Sequence, residues 1–148
     1  MKPSETIDYH IKVTWHAIAN LYNMIACEYG LTQATGFVLL HIDNVQGSPA
    51  TSIAPLMGMK ATSLSRMLKN METDGLIFRK SSKNDKRLVM IHLTEDGLKK
   101  QKIAKGVVKE FNQHIEKNID QAQLNHFYKM MESISALTEE YRNMKTIS

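Results

Sequence analysis

The sequence predicts a mainly α chain with one small β-hairpin. Two observations carry this. Apolar residues recur at helical spacing along most of the chain, and one short apolar run, Leu88–Leu93, follows a polar, basic tip with Val89, Ile91 and Leu93 at alternate positions. Length and composition agree with one domain: 148 residues, 43% apolar and 23% charged, enough for a core without staples.

The elements follow in order. Ile7, Ile11, Trp15, Ile18, Tyr22 and Ile25 step by three or four and form a first helical stripe, which Gly30 stops. Thr32 is placed to cap a second helix through QATGFVLLHIDNV, ending at the turn signal QGSP. A short third helix fits Ser52–Met57. Pro55 is tolerated there if it falls in the first turn, which puts the start near Thr51 or Ser52. Gly58 ends it. A fourth helix runs over about Thr62–Thr73, with Leu64, Met67, Leu68 and Met71 on its apolar face and Gly75 beyond its end.

Ile77–Lys80 reads as a strand, and Val89, Ile91 and Leu93 alternate with Leu88, Met90 and His92 in a second. The two flank SSKNDK and should pair as a hairpin. Thr94 caps a long helix through Ala104, Val108, Phe111 and Ile115, with Glu95 and Asp96 in its positive first turn. A last helix carries Leu124, Phe127, Met131, Ile134, Leu137 and Tyr141. The short helix, tight turn and following helix over Ser52–Thr73 resemble a helix-turn-helix, and the hairpin after it would be a wing.

Charge placement narrows the function. The chain is +4, but residues Lys60 to Arg87 alone are +5, leaving −1 for the rest. A concentrated basic window is the footprint of a polyanion site. At about 100° per residue, Thr62, Arg66, Lys69 and Thr73 fall opposite the apolar face of the fourth helix, flanked by Ser65 and Asn70. That face is small, polar and basic. It can approach a groove floor, bond phosphates or base edges, and fork an arginine to guanine.

The stretch TSIAPLMGMKATSLSRMLKNMETDGLIFRK, followed by NDKRLVMIHLTEDG, resembles the winged helix-turn-helix of the MarR (multiple antibiotic resistance regulator) family. The most specific match is Asp85, Arg87, Leu93 and Thr94, in a wing pattern of Asp-x-Arg with Leu-Thr closing the second strand; GLIFR and Ser65–Arg66 match as well. The motifs cover roughly residues 51 to 97, and the flanking helices agree in layout.

The resemblance implies one MarR-like domain over 1–148. About 1–30 and 98–148 would be dimerisation helices, and about 32–97 the DNA-binding lobe. It implies a homodimer on a pseudo-palindromic duplex, with half-sites roughly 34 Å apart. The fourth helix would enter the major groove and the wing the minor groove, with Arg87 inserted and Asp85 orienting it. The implied DNA contacts are Lys60, Thr62, Ser63, Ser65, Arg66, Lys69, Arg79, Lys83, Asp85 and Arg87. A small-molecule effector would act from a pocket lined by Trp15, His16 and Tyr22; on the residues alone, plain interface packing is the favoured use of each. Two departures touch the helix starts: Lys60 stands where relatives often carry a Ser or Thr cap, and Pro55 is unusual in the short helix.

Other classes find less support. No nucleophile–base pattern, phosphate-cradling glycine loop or metal-ligand spacing is visible, so neither an enzyme nor a bound cofactor is expected. The six histidines include no i, i+4 pair. Some relatives sense hydroperoxides through a first-helix cysteine, but Cys27 lies near that helix's end with no cation close in sequence, so it reads as a structural or incidental thiol. Lys99, Lys100, Lys102, Lys105 and Lys109 read as a solvated helix face. One cysteine, no leader-like apolar segment and no long apolar run suggest a cytoplasmic protein. A winged-helix protein–protein adaptor without DNA binding is the alternative, since fold does not fix function.

Overall fold

Thr6 opens helix α1 (Ile7–Glu28), its hydroxyl accepting from Tyr9 N at 3.4 Å. Thr32 opens α2 (Gln33–Leu40) in a reciprocal pair with Thr35: each backbone N–H donates to the other's hydroxyl, at 3.1 and 2.9 Å. The computed structural model describes residues 1–146. It continues with β1 (Ser48–Pro49), α3 (Ala50–Met57), α4 (Ala61–Thr73), β2 (Ile77–Ser81), β3 (Val89–Leu93), α5 (Glu95–Asn118) and α6 (Gln121–Thr146). The chain divides into two compact units, Met1–Val107 and the part from Val108 onward.

α2 is shorter than its apolar pattern suggests. It stops at Leu40, not near Val45, because polar side chains capture the backbone just beyond. The Asp43 carboxylate accepts from Val45 N (2.8 Å) and Gln46 N (2.7 Å), and Ser48 Oγ donates to the His41 carbonyl while accepting from Asp43 N. The bonds from Gln46 N and Val45 N lower the Asp43 pKa from its ordinary carboxylate value. Gly47, at φ +73°, lies so close to β3 that a Cβ would sit 2.7 Å from the Ile91 carbonyl and the His92 ring. That approach lets Ser48 and Pro49 pair with Ile91 and Met90.

The expected hairpin is therefore part of a three-stranded antiparallel sheet, in the order β1-β3-β2. A two-residue Ser-Pro strand carries no alternation to detect, and its proline is tolerated because β1 is an edge. In the hairpin, Ile77 faces Leu93 and Arg79 faces Ile91 on one side, while Phe78 faces His92 and Lys80 faces Met90 on the other. The first side supplies buried Ile77, Ile91 and Leu93. They pack with Val38, Leu39, Ile42, Ile53, Leu64, Leu68, Met71 and Leu76 in one core. Each such side chain contributes about 1.5–3 kcal/mol by burial.

α3 begins at Ala50, one or two residues before the expected start, so Pro55 is not in its first turn but within the helix. Ile53 and Ala54 beside it are buried in the core.

Candidate nucleic-acid interface

Two glycines frame α4. Gly58, at φ +61°, ends α3 with Met59 N bonded back to the Ala54 carbonyl at 3.1 Å. Gly75, at φ +73°, ends α4 with Leu76 N bonded to the Met71 carbonyl at 2.9 Å. Both are left-handed terminations that favour glycine, and each turns the chain sharply enough to bring the next element back onto the core.

α4 starts at Ala61 with Lys60 in extended conformation (φ −70°, ψ 146°) as its N-cap. Lys60 offers no side-chain cap, so the positive end of the helix keeps its N–H groups open. Leu64, Leu68 and Met71 are buried, whereas Thr62, Ser63, Ser65, Arg66, Lys69, Asn70 and Thr73 are exposed. Thr62, Arg66, Lys69 and Thr73 lie within an arc of about 60° on the outer side. The predicted division of this helix is thus the observed one.

The wing tip is organised by its own polar atoms. Ser82 N donates to the Leu88 carbonyl (2.9 Å), Leu88 N to the Asp85 carbonyl (3.0 Å), and Arg87 N to Asp85 Oδ1 (2.9 Å). Asp85 therefore shapes the backbone that carries Arg87, leaving the guanidinium to project from a fixed turn. Lys83, Lys86 and Arg87 are exposed. Among the described residues, no carboxylate pairs with Lys60, Arg66, Lys69, Lys83, Lys86 or Arg87.

Arg79 stands apart from the rest of the expected set. Its Nε lies 3.3 Å from Glu72 Oε2 near the end of α4, tying the base of the wing to that helix. Sequence reasoning took its charge as free because Glu72 and Arg79 are separated by a turn whose course the residues alone do not fix. Lys80 and Lys86, counted in the basic window but not among the expected contacts, are both exposed on the hairpin.

Elsewhere in the unit, Trp15 and Tyr22 both pack on Phe37, with ring centroids 5.9 and 6.1 Å from its own. Tyr22 is buried, which raises its phenol pKa, while Trp15 remains 45% exposed and His16 is exposed. Phe37, the centre of this cluster, was not singled out from the sequence. Its helical register beside Val38 and Leu39 was the available signal.

Fold and site together define a winged helix-turn-helix protein with an unpaired basic face. Residues 31–89 match the model of the MarR family. Solved structures agree over most of the chain. CouR from Rhodococcus jostii RHA1 bound to p-coumaroyl-CoA is 21% identical with a TM-score of 0.80, covering 90% of this chain and 94% of its own. The S. aureus MepR–DNA complex is 21% identical with a TM-score of 0.79, over 89% and 98%. A MarR family transcriptional regulator from Listeria monocytogenes complexed with a 26-mer DNA is 24% identical with a TM-score of 0.79, over 92% and 89%. At these identities the likeness is one of fold. No curated protein sequence matches the chain. Among the described residues, no helix is long and apolar enough to cross a membrane.

Proposed function

We propose that this protein is a transcription regulator that binds duplex DNA as a homodimer on a pseudo-palindromic site. The observation that carries the reading is the set of exposed cations on α4 and the wing tip that no carboxylate neutralises. An unpaired basic surface on a helix-turn-helix is what a phosphate backbone selects. α4 enters the major groove through Thr62, Ser63, Ser65, Arg66 and Lys69, with Lys60 at its open N-terminus. The wing reaches the adjacent minor groove with Lys83 and Arg87, on the turn held by Asp85. Arg79 acts as a brace between wing and helix. The DNA complexes of MepR and of the Listeria regulator, on the same fold, support this assignment.

The dimer rests on apolar faces that each unit leaves in solvent. On α1 these are Ile7, Ile11 and Trp15, and on α6 Phe127, Leu137 and Tyr141, all at least 37% exposed. Continuous stripes of this kind mark association surfaces. With 1–30 and 98–148 as dimerisation helices, two copies present two α4 helices about one DNA turn apart. A small-molecule effector is assigned to the Trp15–Tyr22–Phe37 cluster, with His16 at its margin. CouR, which holds p-coumaroyl-CoA, offers a precedent for an aromatic ligand on this fold. Such a ligand acts only by preferring one separation of the two α4 helices.

The test is fluorescence anisotropy on duplex DNA from upstream of the protein's own gene, with a scrambled duplex as control, across a salt series. Tight binding to the native duplex, falling about 0.9 log units per phosphate contact per decade of salt, is expected. No binding to either duplex at low salt would overturn the reading in favour of the protein–protein adaptor.

A further inference from the structure

Thr94 closes the wing pattern in the sequence, yet it makes none of the assigned DNA contacts. Its bonds gather instead at the turn that joins α4 to β2. That turn is Gly75 and Leu76, and all four of its backbone polar groups are engaged. Both donors look back to α4: Gly75 N bonds to the Glu72 carbonyl at 3.1 Å and Leu76 N to the Met71 carbonyl at 2.9 Å. Both acceptors look to one residue. The Gly75 carbonyl accepts from Thr94 Oγ1 at 2.6 Å, and the Leu76 carbonyl from Thr94 N at 3.0 Å. The same hydroxyl accepts from Gly97 N at 3.0 Å and so caps α5. One O–H and its lone pairs thus serve two elements at once.

Thr94 is itself anchored. In the first turns of α5, Lys100 Nζ donates to the Tyr29 carbonyl, and Gln101, 3% exposed, donates to the Leu39 and Ile42 carbonyls at 2.7 and 2.8 Å. The turn it grips is softer. Gly75 has φ +73° and open space where a Cβ would stand, so no side chain of its own limits its rotation. Apolar contacts under the hairpin tolerate sliding, because their energy follows buried area. A hydrogen bond does not, because it weakens steeply with misalignment. At about 3.3 Å per residue, the extended chain from Gly75 to Lys83 at the wing tip reaches up to roughly 26 Å. A rotation of about 10° at the turn would move that tip by roughly 4 Å, against a minor groove only about 6 Å wide.

We propose that Thr94 is a positioning residue: its hydroxyl locks the turn between α4 and the wing, and so sets where the wing tip stands when α4 occupies the major groove. The inference rests on the DNA-binding reading above.

Its test measures what Arg87→Ala and Arg66→Ala each cost on the duplex that wild type prefers, in four backgrounds. These are wild type, Thr94→Ser, Thr94→Asp and Thr94→Val, with the melting temperature read for each. Thr94→Ser keeps both bonds of the hydroxyl. Thr94→Asp can accept from Gly97 N but, ionised, cannot donate to the Gly75 carbonyl, so it keeps the cap and breaks the clamp. Thr94→Val loses both without adding charge. In wild type and Thr94→Ser, Arg87→Ala is expected to weaken binding about fivefold or more at about 0.1 M salt. In Thr94→Asp and Thr94→Val that cost should shrink to about twofold or less while the cost of Arg66→Ala is kept, because α4 still docks and the wing tip misses its groove. An Arg87→Ala cost equal in all four backgrounds would make Thr94 a cap of α5 alone and overturn the proposal. An equal fall in the costs of both arginines would overturn it too. If Thr94→Val no longer melts cooperatively, Thr94→Asp decides. A wild type that binds but loses nothing with Arg87→Ala sinks the wing contact and this proposal, whereas a wild type that binds no duplex sinks the DNA-binding reading with them.

Discussion

α4 and the first turns of α5 are both rich in polar side chains, yet they use them in opposite ways. On α5 and its cap, Thr94, Lys100, Gln101 and Lys105 are each engaged with a neighbouring group, and Lys99 pairs with Glu95. On α4, only Glu72 and Thr73 are engaged among the described residues, the first by Arg79 and the second by its own helix at the Lys69 carbonyl. Polar atoms buried in a frame must be satisfied within it. Those left exposed and unmatched on a rigid helix remain available to a partner. α5 is built to hold and α4 to be held out, so a substitution should harm stability in one and binding in the other.

Gly97→Ala tests the frame most severely. The Gly97 Cα lies against the Leu76 carbonyl so closely that a Cβ would overlap it, and Leu93 Cδ2 is 3.4 Å from the same point. The obstacle is backbone, held by Thr94 N donating to that carbonyl at 3.0 Å, so neither side can yield cheaply. A loss of about 3 kcal/mol or more in denaturant unfolding is expected, at the upper end of overpacking costs. A loss below roughly 0.5 kcal/mol would mean that α5 is not fixed on the lobe as described.

Arg66→Ala and Arg87→Ala test the other side. Each should leave unfolding free energy within about 0.5 kcal/mol of wild type, as is usual for exposed positions. Arg66→Ala should weaken binding to the preferred duplex by roughly 1–3 kcal/mol and relax selectivity at one base position. Arg87→Ala should weaken binding more evenly across sequences, with a salt slope shallower by about 1. Unchanged affinity in both variants would remove α4 and the wing as the interface.

The turn after α2 supplies a smaller effect with a defined pH window. Asp43 has its folded pKa lowered by the Gln46 and Val45 N–H groups. A lowered carboxylate pKa stabilises the fold above the unfolded value and loses that contribution as pH falls through the folded one. The gap in melting temperature between wild type and Asp43→Asn should be constant above about pH 5 and shrink below about pH 4. A gap that widens on acidification would refute the cause assigned to the turn.

How far the sequence could reach follows from the same contrast. Helix existence, the wing and the two faces of α4 were legible because each rests on a local period: Leu64, Leu68 and Met71 are all buried as their spacing requires. The end of α2, β1 and the register of Pro55 were not. Each depends on contacts distant in sequence or on side-chain captures that compete with helix propensity: Gln101 on Leu39 and Ile42, Ser48 on His41, Gly47 against His92. Of the site, the exposed cations could be listed from charge alone. Which of them is neutralised could not, since the Glu72–Arg79 pair forms only once the wing folds back beside α4.

That pair yields the smallest and sharpest prediction. Arg79 and Glu72 are both more than a third exposed, so the ion pair itself should stabilise the fold by well under about 1 kcal/mol. Its value lies in geometry, because it joins the wing base to the helix whose outer face meets DNA. In Glu72→Gln, the melting temperature should fall only slightly, and the salt slope of DNA binding should stay at the wild-type value, because a brace that loses its partner gains no phosphate. A slope steeper by about 0.9 would mean that the freed guanidinium had reached the backbone. Arg79 would then join the DNA contacts, and Glu72 would be the group that restrains it in the unbound protein.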